Sequence, residues 1–215
     1  MTTHDFTVLN SELLVDAPII GLRRDEVSMP GGGSAHREIV EHFGAVAVVA
    51  EREGEIAMVN QYRRSVNQRL WELPAGLLDI AEEDPLTCAR RELEEEAGLA
   101  AQHWELLSDL FTSPGICDEA VRIYLARELR EVPRPPAEHE EADLIFNWVP
   151  IEKARAMVMS GEINNAIAIT GIMTAAEVLA GRAVARPADT SFPQRPEALA
   201  QRRIAAGRVP DMKKL

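Results

Sequence analysis

Residues 90–99 read RRELEEEAGL, and the charges in this stretch constrain the fold more than any other feature of the chain. At 100° per residue Glu92, Glu95 and Glu96 fall within one narrow arc, while Leu86, Ala89, Leu93 and Ala97 face the other way. The pattern predicts an amphipathic helix pressed onto a core by its apolar side. Asp84 is placed to cap it, Pro85 to take the first helical position and Gly98 to end it. Carboxylates three or four residues apart on a helix repel by about 0.2–0.5 kcal/mol per pair. Something must offset that repulsion, and the spacing admits two readings. Arg90 with Glu94 and Arg91 with Glu95 can pair along a solvated face, each contributing only about 0.3–0.5 kcal/mol in the weaker base-before-acid order. Alternatively, the oxygens of Glu92, Glu95 and Glu96 can collect a hard cation such as Mg2+ or Mn2+, which favours carboxylate ligands and keeps several waters.

Strand patterns surround this helix. Phe6 to Asp16 and Gly21 to Ser28 read as short strands, followed by the turn MPGGGSA at 29–35. HREIVEHF, GAVAVVAERE and GEIAMVNQYR follow, the last two joined by a hairpin near Gly54. Arg69 to Pro74 leads into the loop AGLLDIAEED before the helix. Beyond it, strands are expected at Trp104 to Phe111, Glu119 to Arg127 and Leu144 to Val149, with PRPPAEHEEAD as a loop. Helices are expected at about 151–159 and 163–181, the second with a band of Ile163, Ala166, Ile167, Ile169, Thr170, Met173 and Ala176. Strands flanking a helix, with more helix at the end, predict an α+β fold in α/β/α layers.

A chain of 215 residues, 46% hydrophobic, can bury one substantial core. Its net charge of −12 argues against nonspecific binding to nucleic acid or anionic lipid. The longest apolar run, Ala45 to Ala50, falls far short of the ~18–20 residues of a membrane helix. Cys88 and Cys117 alone make neither a disulfide framework nor a zinc cluster, and MTTHDFTVLN has no export pattern, so a cytoplasmic setting is expected. From Pro187 onward six Lys/Arg face three acids, a net +3 against −15 for the remainder, without apolar periodicity. This stretch is expected to be a mobile tail, either solvated or laid across a partner subunit.

Taken as a whole, Gly76 through Leu99 resembles the Nudix box, G-x5-E-x7-R-E-U-x-E-E-x-G-U with U a bulky aliphatic. Glu83, Arg91-Glu92-Leu93, Glu95-Glu96 and Gly98-Leu99 follow it residue by residue. Six residues rather than five separate Gly76 from Glu83, as one extra loop residue would give, which leaves Glu82 and Glu83 as alternatives for the first glutamate. Pro114, sixteen positions after Gly98, resembles the ADP-ribose pyrophosphatase subgroup, as do HFGAVAVVA and GEINNAIAITGI. The likeness spans roughly residues 5–185 and looks closest to actinobacterial members.

The resemblance implies a Nudix fold with a mixed sheet and a loop-helix-loop, preceded by a small β region at 1–40 that serves dimerisation. The Nudix domain would run 41–186 and the Pro/Arg-rich tail 187–215. It implies a metal site of Glu92, Glu95, Glu96 and the Ala75 carbonyl, with Mg2+ or Mn2+ bound. It places the general base on PAEHEEAD, where Glu141 is preferred to Glu140; the spacing leaves open which of them ligates metal. Arg63 would hold the diphosphate through its planar guanidinium, Arg37 and Glu38 would contact adenine, often from the neighbouring subunit, and Gly76, Leu77 and Glu119 would face substrate. His36, His42, His103 and His139 have no metal-ligand spacing and read as surface or core residues.

The activity implied is hydrolysis of ADP-ribose to AMP and ribose 5-phosphate by a Mg2+-dependent homodimer. Other nucleoside diphosphate derivatives, such as GDP-mannose, a dinucleotide polyphosphate or NADH, would use the same chemistry. A non-catalytic ADP-ribose sensor is a further alternative, although sensors are expected to lose box carboxylates and here all are present.

Overall fold

In the computed structural model, residues 3–134 and 143–214 are described. Two sheets are formed among these described residues. The first is antiparallel, in the order β1 (Val8–Asp16), β2 (Ile20–Ser28), β3 (Ser34–His42). The second contains β4 (Ala45–Arg52), β5 (Glu55–Arg63), β6 (Gln68–Glu72), β7 (Ala75–Leu77), β8 (Leu99–Phe111), β9 (Ala120–Glu131), β10 (Ile145–Pro150) and β11 (Arg186–Pro187). Its main path runs β10-β5-β4-β9-β8-β11, with β6 paired to β5 and β7 to β4. The β4–β9 pair is parallel and its other ladders are antiparallel, so the sheet is mixed.

Among the described residues four helices complete the fold: α1 (Pro85–Ala97), α2 (Ile151–Ser160), α3 (Ala166–Leu179) and α4 (Ala198–Ala205). The run AVAVVA is apolar without interruption because β4 is covered on both faces. Ala45, Ala47 and Val49 pack in a core with Ala154 and Met157 of α2 and Ala168, Ile172 and Ala175 of α3. Val46, Val48 and Ala50 pack with Cys88, Ala89 and Leu93 of α1. These are the α/β/α layers expected from the sequence.

Helix α1 begins and ends where its punctuation indicates. The Asp84 carboxylate accepts the N–H groups of Leu86 and Thr87 at 3.0 and 3.1 Å, Pro85 is the first helical residue, and Gly98 closes the helix at φ +64°. Burying a side chain such as Leu93 contributes about 1.5–3 kcal/mol, several times a surface ion pair. The apolar face therefore fixes the helix, and the acidic face is available for another task.

Three expectations are corrected. Strand β8 starts at Leu99 rather than Trp104, since the left-handed turn at Gly98 feeds directly into pairing of Leu99 with Glu131. Helix α3 starts at Ala166, where the Asn165 side chain accepts the N–H of Ala168 at 2.9 Å. The largest correction concerns the stretch after Pro187, which packs along the domain instead of forming a mobile tail. Buried Arg122 donates to the carbonyls of Thr190 (2.6 Å) and Ser191 (2.8 Å) and lies 4.3 Å from the Phe192 ring centre. Arg203, also buried, binds Asp16 and the Ala17 carbonyl, Arg202 pairs with Glu41, and Met212 is buried with Phe43 and Leu199. Among the described residues, no helix is long and apolar enough to cross a membrane.

Candidate active site

A cavity of about 500 Å³ opens where β4, β5, β6 and β7 meet the start of α3. Its wall includes His42, Arg63, Glu72, Ala75, Gly76, Leu77, Glu119 and Asn165. Strand β7 places Ala75 to Leu77 in register with Ala47 to Ala45, which lays this backbone across the acidic face of α1.

Ala75 and Gly76 both meet the helix. The Ala75 N–H donates to Glu96 Oε2 at 3.0 Å, with Glu96 itself buried. Glu92 lies so close to Gly76 that a Cβ added there would stand 1.9 Å from Glu92 Cδ and 2.0 Å from Oε1. Glycine at 76 is thus the space that the Glu92 carboxylate occupies.

Arg91 organises the remaining acids. Its Nε and Nη2 donate to the two oxygens of Glu83, each at 3.0 Å, and its Nη1 donates to Glu92 (2.7 Å) and Glu95 (3.0 Å). Glu83 is therefore the loop glutamate tied to the helix. Glu82 adopts φ +64°, the conformation of the additional loop residue. Among the described residues no three His, Cys, Asp or Glu side chains are gathered around a single point. The three helix carboxylates line one face, with the Arg91 guanidinium between two of them.

This environment alters acidity. Burial pushes Glu92 up from its usual 4.5 to about 7; Arg91 opposes the rise and Glu95 adds to it. A carboxyl raised in the fold stabilises the native state below 4.5, and that contribution fades as pH climbs toward 7. A cation binding to the carboxylate must displace the proton. If Glu92 is a ligand, Mn2+ uptake is expected to release more protons at pH 6 than at pH 8. Calorimetry in buffers of different ionisation enthalpy measures this, and a release that does not vary with pH would contradict Glu92 as a ligand.

On the opposite wall, Arg63 is held by Glu72 through Nε to Oε1 (3.0 Å) and Nη2 to Oε2 (2.7 Å), with Gln61 donating to Oε2 at 3.2 Å. Glu119 accepts from the Thr112 hydroxyl and lies 3.5 Å from His42 Nδ1. The Gly44 N–H donates to the same nitrogen at 3.1 Å. His42 and Glu72 were not singled out as site residues by sequence. ELPAG pointed to the segment containing Glu72, whereas nothing local marks His42.

The structure thus brings Ala75, Gly76, Leu77, Glu92, Glu96, Arg63 and Glu119 to one region, with Glu95 on the adjoining, more exposed turn. Arg37 and Glu38 do not line this cavity. Both are exposed on β3, Arg37 donating to the His36 carbonyl and Glu38 paired with Arg24 at 2.8 Å. Glu140 and Glu141 lie outside the described residues. Pro114 lines a neighbouring, largely apolar pocket with Ile39, Phe111 and Ile116.

The donor set suits a hard divalent cation: oxygen ligands only, carboxylates crowded beyond what one guanidinium neutralises, and one carboxyl pushed up by burial. Thiol sulfur is too soft a ligand for such a cation, and Cys88 is buried with its thiol donating to the Leu77 carbonyl at 3.3 Å.

The chain is similar to proteins already known. A family model described as the NUDIX domain matches residues 40–167. The chain is 55% identical over 204 residues to a protein named ADP-ribose pyrophosphatase from Mycobacterium tuberculosis, covering 94% of this chain and 99% of that one. It is 38% identical over 167 residues to a protein of the same name from Bacillus subtilis, covering 77% and 90%. A solved chain described as an ADP compounds hydrolase superposes with a TM-score of 0.73 over 85% of this chain and 100% of that one; at 20% identity this is a likeness of fold. The box residues, the fold that displays them and these matches agree that the chain belongs to the NUDIX family.

Proposed function

We propose that the protein hydrolyses ADP-ribose to AMP and ribose 5-phosphate with Mg2+, or Mn2+ in its place. One observation carries the reading: an intact acidic helix face abutting a cavity that also holds an anchored arginine, in a chain 55% identical to a named ADP-ribose pyrophosphatase. Glu92, Glu95, Glu96 and the Ala75 carbonyl would hold the cation. When bound, it supplies charge that offsets the charge developing on the diphosphate oxygens and acidifies a water. Arg63, kept in one orientation by Glu72, binds phosphate oxygens and sets the anhydride in line for attack. A water oxygen forms the new bond to phosphorus as the bridging P–O bond breaks. Glu141, or Glu140, takes the water's proton.

Substrate preference is tested by assaying the purified protein with ADP-ribose, GDP-mannose, NADH and a dinucleotide polyphosphate in the presence of Mg2+. The highest kcat/KM is expected for ADP-ribose. Absence of AMP release, with turnover of another compound, rejects the substrate. The Glu72 clamp adds a second expectation. Glu72→Gln weakens the charge-assisted bonds that hold Arg63, so KM for ADP-ribose should rise about 5- to 10-fold with a smaller change in kcat. An unchanged KM would detach Arg63 from substrate binding.

The three-part division at residues 40 and 186 and the homodimer belong to the same reading. Phe6, Val8, Leu9, Leu13, Leu14 and Val15 are exposed on or beside β1, an apolar surface of the kind that mates with a second copy. Arg37 and Glu38, away from their own cavity, would then serve the partner's adenine. Sedimentation as a monomer at micromolar concentration would count against this arrangement. A cytoplasmic setting accords with the two unpaired cysteines.

A further inference from the structure

The end of the chain reaches the loop that carries the Ala75–Gly76 backbone. Residues 210–213 run antiparallel to residues 79–81: the Ala81 N–H donates to the Pro210 carbonyl at 2.8 Å, the Met212 N–H donates to the Asp79 carbonyl at 2.9 Å, and Ile80 bridges Asp211. Met212, buried beside Phe43, Leu199 and Ala81, pins this strap to the domain. The next residue then extends its ammonium to Asp79, with Nζ 2.6 Å from Oδ2.

Asp79 is almost completely buried, whereas Lys213 is half exposed. A carboxylate buried without a cation is costly enough to be protonated or expelled toward water. Here the compensating charge arrives from 134 positions further along the sequence. Asp79 lies near enough to Glu92 to repel its charge, and Glu92 in turn attracts the Lys213 ammonium. From Asp79 back through β7, each residue touches the site or its support. The Leu78 N–H donates to the Gly44 carbonyl, the Leu77 carbonyl accepts from Cys88, Gly76 makes room for Glu92 and Ala75 binds Glu96. A displaced Asp79 would carry this run of backbone with it.

We propose that Lys213 is a positioning residue for the cation site: by holding Asp79 in the interior, the C-terminal strap fixes the loop that sets Ala75 and Gly76 against Glu96 and Glu92. The inference rests on the reading of that cluster as the divalent cation site. It differs from simple electrostatic competition, and the two have opposite consequences. A nearby ammonium that acted only through its charge would weaken cation binding, so its removal would tighten it. Loss of a positioning contact loosens it.

The test uses the full-length chain with Lys213→Met, Lys213→Arg, Asp79→Asn and the double variant Lys213→Met/Asp79→Asn. Mn2+ affinity is read by electron paramagnetic resonance without nucleotide, alongside steady-state kinetics with ADP-ribose and Mg2+. Lys213→Met is expected to raise the Mn2+ dissociation constant about fivefold or more and lower kcat about tenfold, with KM within about twofold. Lys213→Arg should restore both to within about threefold. The double variant should be no worse than Asp79→Asn alone, because the contact is then already absent. Tighter Mn2+ binding by Lys213→Met, or unchanged binding and kcat, overturns the proposal, and so does a wild-type protein that takes up no Mn2+. Loss of Mn2+ affinity in Lys213→Met, with no turnover of ADP-ribose by the wild type, would uphold the positioning role while rejecting the substrate. Wild-type turnover of ADP-ribose with an indifferent Lys213→Met would do the reverse.

Discussion

Replacement of Glu96 by Gln is expected to remove nearly all activity while leaving the fold in place. A bound divalent cation contributes several kcal/mol to stabilising transition-state charge, so loss of a charged ligand amounting to about 3–5 kcal/mol lowers kcat roughly 150- to 5,000-fold. The structural cost is far smaller. Glu96 accepts the Ala75 N–H at 3.0 Å, and a glutamine carbonyl at the same place accepts it too. The change in stability should stay within about 1 kcal/mol, a shift in Tm of about 2–4 °C for a chain of this size. Parallel kinetics and thermal unfolding separate the two quantities. Near wild-type turnover would remove Glu96 from the cation site.

Gly76→Ala should have a comparably large effect by a different route. Its new methyl would stand 1.9 Å from Glu92 Cδ, far inside any real contact, so the carboxylate must leave. Glu92 ends a flexible side chain, and turning it aside costs about 0.5–1.5 kcal/mol, partly offset by the 0.4–1 kcal/mol or so that alanine gains by restricting the unfolded chain. With the loss of the Arg91 bond added, stability should fall by about 1–3 kcal/mol. The chemistry should suffer strongly, because Glu92 is expelled from the backbone it faces and drawn away from its 2.7 Å bond to Arg91. A fall in kcat of about 100-fold is expected, with Mn2+ affinity falling alongside. Full activity in Gly76→Ala would mean that the position of Glu92 in the fold has no bearing on catalysis.

The parts of this site that were legible in the sequence are those specified by neighbouring residues. Asp84, Pro85 and Gly98 bound α1 because capping and left-handed closure depend on positions within a few residues of the helix end. The AVAVVA run was legible as a strand, its coverage on both faces appearing only in the fold, and the charge pattern of 90–96 identified which side of the helix faces the site. Glu83 was separable from Glu82 only in three dimensions, where Arg91 grips one carboxylate and the other residue turns out at positive φ. What stayed hidden was held by single long-range contacts. Residues 187–214 carry no period beyond the short helix α4, and besides Leu199 and Met212 against Phe43 they are fastened by single contacts, by Arg122 to two carbonyls, by Arg203 to Asp16 and by Lys213 to Asp79. Their excess of positive charge, which suggested a solvated tail, complements acids far away in the sequence. His42 read as a surface or core residue for the same reason: its neighbour Glu119 is distant along the chain and no ligand spacing marks it. Strand β8 began early because pairing with β9, rather than the local AAQH composition, dictates the backbone there.

The reading of the acidic helix meets its most direct test in crystals grown with Mn2+ and examined by anomalous diffraction. A peak bounded by carboxylate oxygens of Glu92, Glu95 or Glu96 and the Ala75 carbonyl, at roughly the 2.0–2.2 Å separations of hard-cation coordination, is the expected result. Manganese bound only elsewhere, or no anomalous peak against α1 even with nucleotide present, would contradict it.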